Sequence, residues 1–140
     1  LQSDFYISEA LGQEKTLYYS KLTDSRNNSF DEWIRFFLKK CIIQAKNHIA
    51  YMDSLDDLYK KTKSALQKAI NSPKFDDITE CLFSQPVLTS SYLSQALDVT
   101  PVQSKRYLDI LQDIHILQSD DRQRYKRFFF VELLDLALRL

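Results

Sequence analysis

Apolar positions recur every three or four residues through most of this chain, and the longest such run begins after Ser29. It passes through Ile34, Leu38, Cys41, Ala45, His48, Met52, Leu55, Tyr59, Thr62, Leu66 and Ala69, alternating steps of four and three without a break. That spacing keeps all eleven positions on one seam of a single helix. Ser29 and Glu32 stand in capping-box register at its start, and Asp31 adds negative charge at the positive end of the helix dipole. No Pro or Gly interrupts the run before Pro73. A helix from Phe30 to Ile70 would be roughly 60 Å long at 1.5 Å per residue. It either bridges two domains or bends near Ser54–Asp57, where Asp56 and Asp57 thin the apolar face. Trp33, Phe37, Ile42 and Ile49 widen the stripe in the first half only. That half is therefore expected inside a globular core, and the second half is expected to act as a spoke or a two-helix contact.

Shorter elements flank this helix. Ser3-Asp4 precedes Phe5, Tyr6, Ile7, Ala10 and Leu11, a short helix with Gly12 placed as its stop. Another helix is predicted from Glu14 to Asp24. Asn71-Ser72-Pro73-Lys74 marks a boundary between segments 1–72 and 73–140. In the second segment Asp76-Asp77 leads Ile78, Cys81, Leu82 and Phe83, and Thr89 can cap a helix over Ser90–Leu97. Thr100 caps a third helix with Pro101 at its first position, where a missing amide costs nothing, and that helix runs to Asp113. Ile116-Leu117-Gln118 reads as a strand, Asp120–Gln123 as a turn, Tyr125–Val131 as a returning strand and Glu132–Leu138 as a last helix. Short helices, a tight turn, a further helix and then a hairpin is the order of a winged helix-turn-helix domain. The expected fold is thus mainly α: a helical segment with a long connector helix, then a winged helix-turn-helix domain with a small β-hairpin.

Composition narrows the chemistry. The 140 residues carry 19 Lys plus Arg against 19 Asp plus Glu, which excludes a wholly basic nucleic-acid arm, a polybasic membrane tether and an acidic tail. Gly12 is the only glycine, and glycine-rich phosphate loops and dinucleotide fingerprints need several. Cys41 and Cys81 both fall in apolar helical patterns. They are expected as buried thiols, not a disulfide, which fits a reducing cytosol and a cytoplasmic location. No apolar run approaches the roughly 20 residues that cross a bilayer, so no membrane partner is expected. Leu1-Gln2-Ser3-Asp4 lacks the basic start of a secretory signal, and the chain, opening without Met on helix-like sequence, reads as a piece of something longer.

Within 73–140 the basic residues are unevenly placed. Six of the eight, Lys105, Arg106, Arg122, Arg124, Lys126 and Arg127, fall on the third helix and the hairpin, the two elements that a winged helix applies to a groove in DNA. Gln103 and Ser104 share the first turns with Lys105 and Arg106. Gln suits adenine, Arg or Lys suits guanine, and Ser suits a phosphate. The candidate nucleic-acid-binding set is therefore Gln103, Ser104, Lys105, Arg106, Arg122, Arg124, Lys126 and Arg127, with double-stranded DNA or a protein target as the partner and regulation as the module's other use. The same residues also read as a solvated face used for docking a protein, with Ser104 buried at a helix crossing. A Phe of Phe128-Phe129-Phe130 is expected to be exposed for such a partner, and self-pairing through the long helix is a further use. No catalytic constellation is found. His48 and His115 have no ligand-spaced companions, and Cys41 and His48 lie two turns apart, roughly 10 Å.

Several stretches together resemble the C-terminal part of Fic-family proteins. Ile7-Ser8-Glu9-Ala10-Leu11 and then Tyr18-Tyr19 with Leu22 are similar to the two helices that follow that family's active-site motif. Phe30-Asp31-Glu32-Trp33-Ile34-Arg35-Phe36-Phe37-Leu38 is similar to its next helix. Leu97-Asp98-Val99, Arg106, Leu108, Leu111, Ile116 and Leu117 resemble the winged helix that ends many long members. The resemblance implies a parent that uses ATP and Mg2+ to transfer AMP to a hydroxyl of a target protein. It also implies that this chain alone is non-catalytic, because the HPFxDGNGRxxR loop that does the chemistry is missing. No catalytic, cofactor-binding or metal-binding residue is carried over. Asp98 and His115 stand where relatives usually have Gly.

Overall fold

The computed structural model describes residues 7–26, 30–120, 122 and 124–138. They form seven helices and a small three-stranded antiparallel sheet. In chain order these are α1 (Ile7–Gly12), α2 (Lys15–Ser25), α3 (Phe30–Ala69), α4 (Lys74–Ser84), β1 (Val87–Thr89), α5 (Ser90–Ala96), α6 (Pro101–Asp113), β2 (Gln118–Ser119), β3 (Arg127–Phe129) and α7 (Val131–Ala137). The chain divides into two compact units, Leu1–Met52 and Asp53–Leu140, with α3 contributing to both. Among the described residues, no helix is long and apolar enough to cross a membrane. The expected cap at Ser29 and the residues Ser3–Tyr6 lie outside the described residues.

Among the described residues of the first unit, almost no apolar side chain is fully buried. α3 turns Trp33, Phe36 and Phe37 toward partial cover, with the Trp33 ring 5.4 Å from Tyr18 of α2 in an edge-on contact. Further along this face are buried Lys40 and Gln44, and Ala10 of α1 is the buried apolar residue among those described in the unit. The Lys40 ammonium is held by Glu14 at 3.1 Å and lies 5.8 Å from the Phe36 ring, so its charge is compensated as burial demands. Lys21 and Glu32 pair at 2.7 Å on the surface; their hydrogen bond raises the lysine pKa and lowers that of the carboxylate. The seam residues Ile34, Leu38 and Met52 are exposed, as are Phe30, Ile42 and Ile49 beside them. The expectation that the first half of the long helix packs in a core is therefore reversed. α1 and α2 cover a neighbouring face, and the more apolar one is left to solvent.

The second unit has a dense core. Leu66 and Ile70 bring the end of the long seam into it, joined by Ile78 and Leu82 of α4, Leu93 and Leu97 around α5, and Leu108 and Leu111 of α6. Leu55 and Leu58 pack against this cluster, so the second half of the seam is a core element and not a spoke. The edge-on stack Tyr59–Phe83–Phe130, with centroids 5.1 and 5.4 Å apart, ties α3 and α4 to the chain just after the sheet. α4 begins at Lys74 behind Pro73, with Asp76 and Asp77 in its first turn where the helix dipole favours them. β3 is the central strand, pairing with β1 on one side and β2 on the other.

Three strand expectations change. β1 was not anticipated: Val87–Thr89 pairs with Phe129–Arg127 and leads directly into the Thr89 cap of α5. β2 begins only at Gln118, because the amides of Ile116 and Leu117 turn back to the Leu111 carbonyl and close the end of α6. β3 is shorter than Tyr125–Val131, since Tyr125 takes φ 55° and Val131 opens α7. Phe128 and Phe130 are buried and Phe129 is partly covered, so the anticipated exposed Phe is absent. The exposed aromatic of that stretch is Tyr125, at 90%.

Candidate nucleic-acid interface

α6 is pinned at its start and on its inner face, and this decides what it can present. The Thr100 hydroxyl accepts from the Gln103 amide at 3.3 Å, and the Gln103 side-chain oxygen accepts from the Thr100 amide at 3.2 Å. Pro101 at the first helical position completes the expected start. The preceding turn is fixed by Ser94, whose hydroxyl donates to the Val99 carbonyl at 2.7 Å and whose own carbonyl accepts from the Val99 amide at 3.0 Å. Asp98 between them has φ 49°, in the left-handed region that favours glycine. Lys74 donates to the Leu97 carbonyl at 3.1 Å and so ties the start of α4 to the same turn.

With Ser104, Leu108 and Leu111 inward, helical geometry turns Val102, Lys105, Arg106, Asp109 and Asp113 outward, and all five are exposed. Ser104 is fully buried and its hydroxyl donates to the Ser90 carbonyl at 2.8 Å, where α5 and α6 meet. It is therefore a packing residue and leaves the candidate contact set. Gln103 is exposed, with its side-chain oxygen committed to the cap. The outer face of α6 is graded: Lys105 and Arg106 occupy the N-terminal half, Asp109 and Asp113 the C-terminal half.

The hairpin is anchored to α6 at two points. Gln112 donates to the Ser119 hydroxyl at 3.0 Å. His115, at φ 60°, turns the chain, its amide donating to the Gln112 carbonyl at 2.9 Å. Asp120 then closes the loop by accepting from the Arg127 amide at 3.0 Å, while its own amide donates to the Arg127 carbonyl at 3.1 Å. Arg122, Arg124, Lys126 and Arg127 are all exposed on this hairpin. Arg122 lies 3.6 Å from Asp120, and Lys126 rests 5.6 Å from the Phe128 ring. Lys105, Arg106, Arg124, Lys126 and Arg127 have no carboxylate within salt-bridge distance among the described residues.

The candidates border two different hollows. A groove of about 340 Å³ runs between the start of α5, α6 and the hairpin, lined by Ser90, Ser91, Lys105, Asp109, Gln112, Tyr125 and Lys126 among others. Lys105 of α6 and Lys126 of the hairpin thus line a common space. Gln103 and Arg106 instead border a smaller cleft of about 240 Å³ with Asn71, Ser72 and Tyr107. Tyr125 is absent from the sequence-derived candidates. Its signal is an aromatic residue set between Arg124 and Lys126 in a turn, and its left-handed backbone is uncommon for so bulky a side chain.

The HPFxDGNGRxxR loop is missing from the sequence, and the only glycine, Gly12, sits at the end of α1. Among the described residues, no three His, Cys, Asp or Glu side chains group as metal ligands. No protein-family model matches this sequence, and no curated protein is significantly similar to it.

Proposed function

We propose that the chain is the non-catalytic C-terminal part of a Fic-family protein and that its second unit carries a winged helix-turn-helix module that binds double-stranded DNA. α5, the Leu97–Thr100 turn and α6 take the place of the helix-turn-helix, and β2–β3 with β1 take the place of the wing. The left-handed backbones of Asp98 and His115, at positions where Fic relatives usually carry Gly, support the alignment.

One observation carries the DNA reading. Lys105 and Arg106 in the first half of α6, and Lys126 with its Arg neighbours on the hairpin, are exposed together and free of carboxylate partners among the described residues. Helix-turn-helix proteins lead into the major groove with the N-terminal residues of the second helix, while flanking elements hold the backbone. In that arrangement Arg106 and Lys105 meet base edges or phosphates, and Arg124, Lys126 and Arg127 neutralise backbone charge. Asp113 stays at the rear of the helix, away from the entering end, while Asp109 lines the groove that Lys105 and Lys126 share.

Fluorescence anisotropy with a mixed-sequence duplex at low salt tests this. Binding is expected, with Arg106→Ala and Arg124→Ala each weakening it and each lowering the salt slope by about 1. Absence of duplex binding at low salt removes the reading. Val102, 79% exposed beside Lys105 and Arg106, and the exposed Tyr125 favour protein docking as the second reading. Binding to a protein target would show a weak salt dependence and would be lost on Val102→Asp.

A further inference from the structure

Val102 is the one large apolar side chain that α6 leaves exposed, at 79%. It sits in the first turn of the helix, one residue after Pro101. At about 3.6 residues per turn it lies roughly 180° from the buried Leu111, with Lys105 about 60° to one side and Arg106 about 40° to the other. Val102 therefore heads the outward face, at the end of α6 that a helix-turn-helix carries into the major groove. Packing does not account for it. So exposed a side chain adds little to the core, and a β-branched residue is only a moderate helix former. We infer that Val102 is a sequence-reading residue whose methyl groups pack on the C5 methyl of a thymine in the major groove. The inference rests on duplex binding by this module and states what that binding selects.

The surroundings favour a base over a protein. Lys105, Arg106, Asp109 and Asp113, the exposed side chains that share the outward face with Val102, are all charged. A protein-docking anchor sits in an apolar patch from which charge is depleted, and a lone valine among charges offers no such patch. A thymine methyl asks for less. It is a single apolar group inside a groove edged by phosphates, so one valine fills the contact while the cations on either side meet backbone or guanine. Thymine alone presents an apolar group on that edge; the other three bases offer only donors and acceptors there. Valine set against one of them would cover a polar group without pairing it, which adds a penalty for the wrong base to the gain for the right one. Arg106 lies four residues on, about 6 Å along the axis, and base pairs stack about 3.4 Å apart, so a guanine read by Arg106 falls within about two base-pair steps of that thymine.

In vitro selection from a pool of random-sequence duplexes at low salt, with the whole 140-residue chain, tests the inference. The enriched duplexes are expected to share a thymine at one position. Anisotropy titration then compares the selected duplex with one carrying uracil at that position, which lacks only the methyl group. Uracil should weaken binding about fourfold, the factor that burial of one methyl-sized group supplies. Val102→Ser should bind the thymine and uracil duplexes equally, with its salt slope unchanged because no charge is lost. Arg106→Ala should weaken both and preserve their ratio. The uracil comparison on the unaltered chain needs no variant, so it holds even if Val102→Ser folds poorly. Duplex binding with no shared thymine overturns the inference and leaves the DNA reading standing, and so does equal affinity of the unaltered chain for thymine and uracil. A uracil effect that persists in Val102→Ser also overturns it, by assigning the methyl contact to another side chain. Absence of binding to every duplex removes the inference together with the DNA reading.

Discussion

The two ends of α3 share one heptad rhythm and have opposite fates. In residues 30–52 the seam leaves Ile34, Leu38 and Met52 exposed, and the covered face holds Lys40 and Gln44. In residues 53–69 the same seam supplies Leu55 and Leu66 to a core that also takes Ile78, Leu82, Leu108, Leu111 and Phe130. A helix in isolation has no inside. Its apolar stripe becomes a core only where other elements bring enough apolar surface to meet it, and α1 and α2, with Ala10 as their buried apolar residue, bring little. Regular periodicity therefore reports a shared face and leaves its cover undetermined.

The largest effect should come from truncating α3 in its buried half, with its exposed half as the comparison. Leu66→Ala removes a fully buried side chain and is expected to cost about 2–5 kcal/mol in urea unfolding of the second unit, through lost transfer energy and the cavity left behind. Ile49→Ala, measured at concentrations where the chain is monomeric, should stay within about 0.5 kcal/mol. Equal costs would break the contrast between the halves.

The cysteines give a second comparison, one in each unit. Cys81 is buried in the second unit's core, and burial pushes its thiol pKa up, so less of it is the reactive thiolate. Cys41 lies on the seam of the first unit and is only partly covered. At low protein concentration a thiol reagent should label Cys41 at least about tenfold faster than Cys81. Faster labelling of Cys81 would mean that the second unit opens more readily than the first.

A smaller effect belongs to the turns of the second unit. His115→Gly should raise its stability by about 0.5–1 kcal/mol, because glycine adopts φ 60° without the Cβ strain that histidine bears there. Asp98→Gly should gain less, since Asp is one of the residues that tolerates this region. Thermal unfolding measures both, and a loss on His115→Gly would show that the imidazole contributes more than the strain removes.

Much of the second unit is legible in the order of its residues. Thr100 and Pro101 mark the start of α6 through local chemistry, a hydroxyl in reach of the Gln103 amide and a ring that fits the first helical position. The exposure of Arg106 follows from its place nearly opposite the apolar positions Leu108 and Leu111, two and five residues further along the helix, with Lys105 at the flank of that face. Less is visible at the sheet. Val87–Thr89 is too short to show an alternating pattern, and it becomes a strand only because Phe128 and its neighbours arrive from about forty residues later to pair with it. Ser104 illustrates the same limit within the candidate site: its type and position suit a phosphate contact, and only the approach of Ser90 turns it into an interior hydrogen bond.

What the amino-acid order determined by itself is local: helix starts, breaks, the long seam, the excess of basic side chains on α6 and the hairpin, and the lack of a phosphate-binding loop. These depend on backbone preferences and on neighbours within a turn or two, which sequence states directly. Tertiary structure alone decided which half of the seam became a core, that Tyr125 and not a Phe stands exposed on the hairpin, and that Lys105 and Lys126 face one groove while Arg106 borders another. Those outcomes depend on contacts between residues far apart in the chain, where burial is shared between partners and no single segment carries the information.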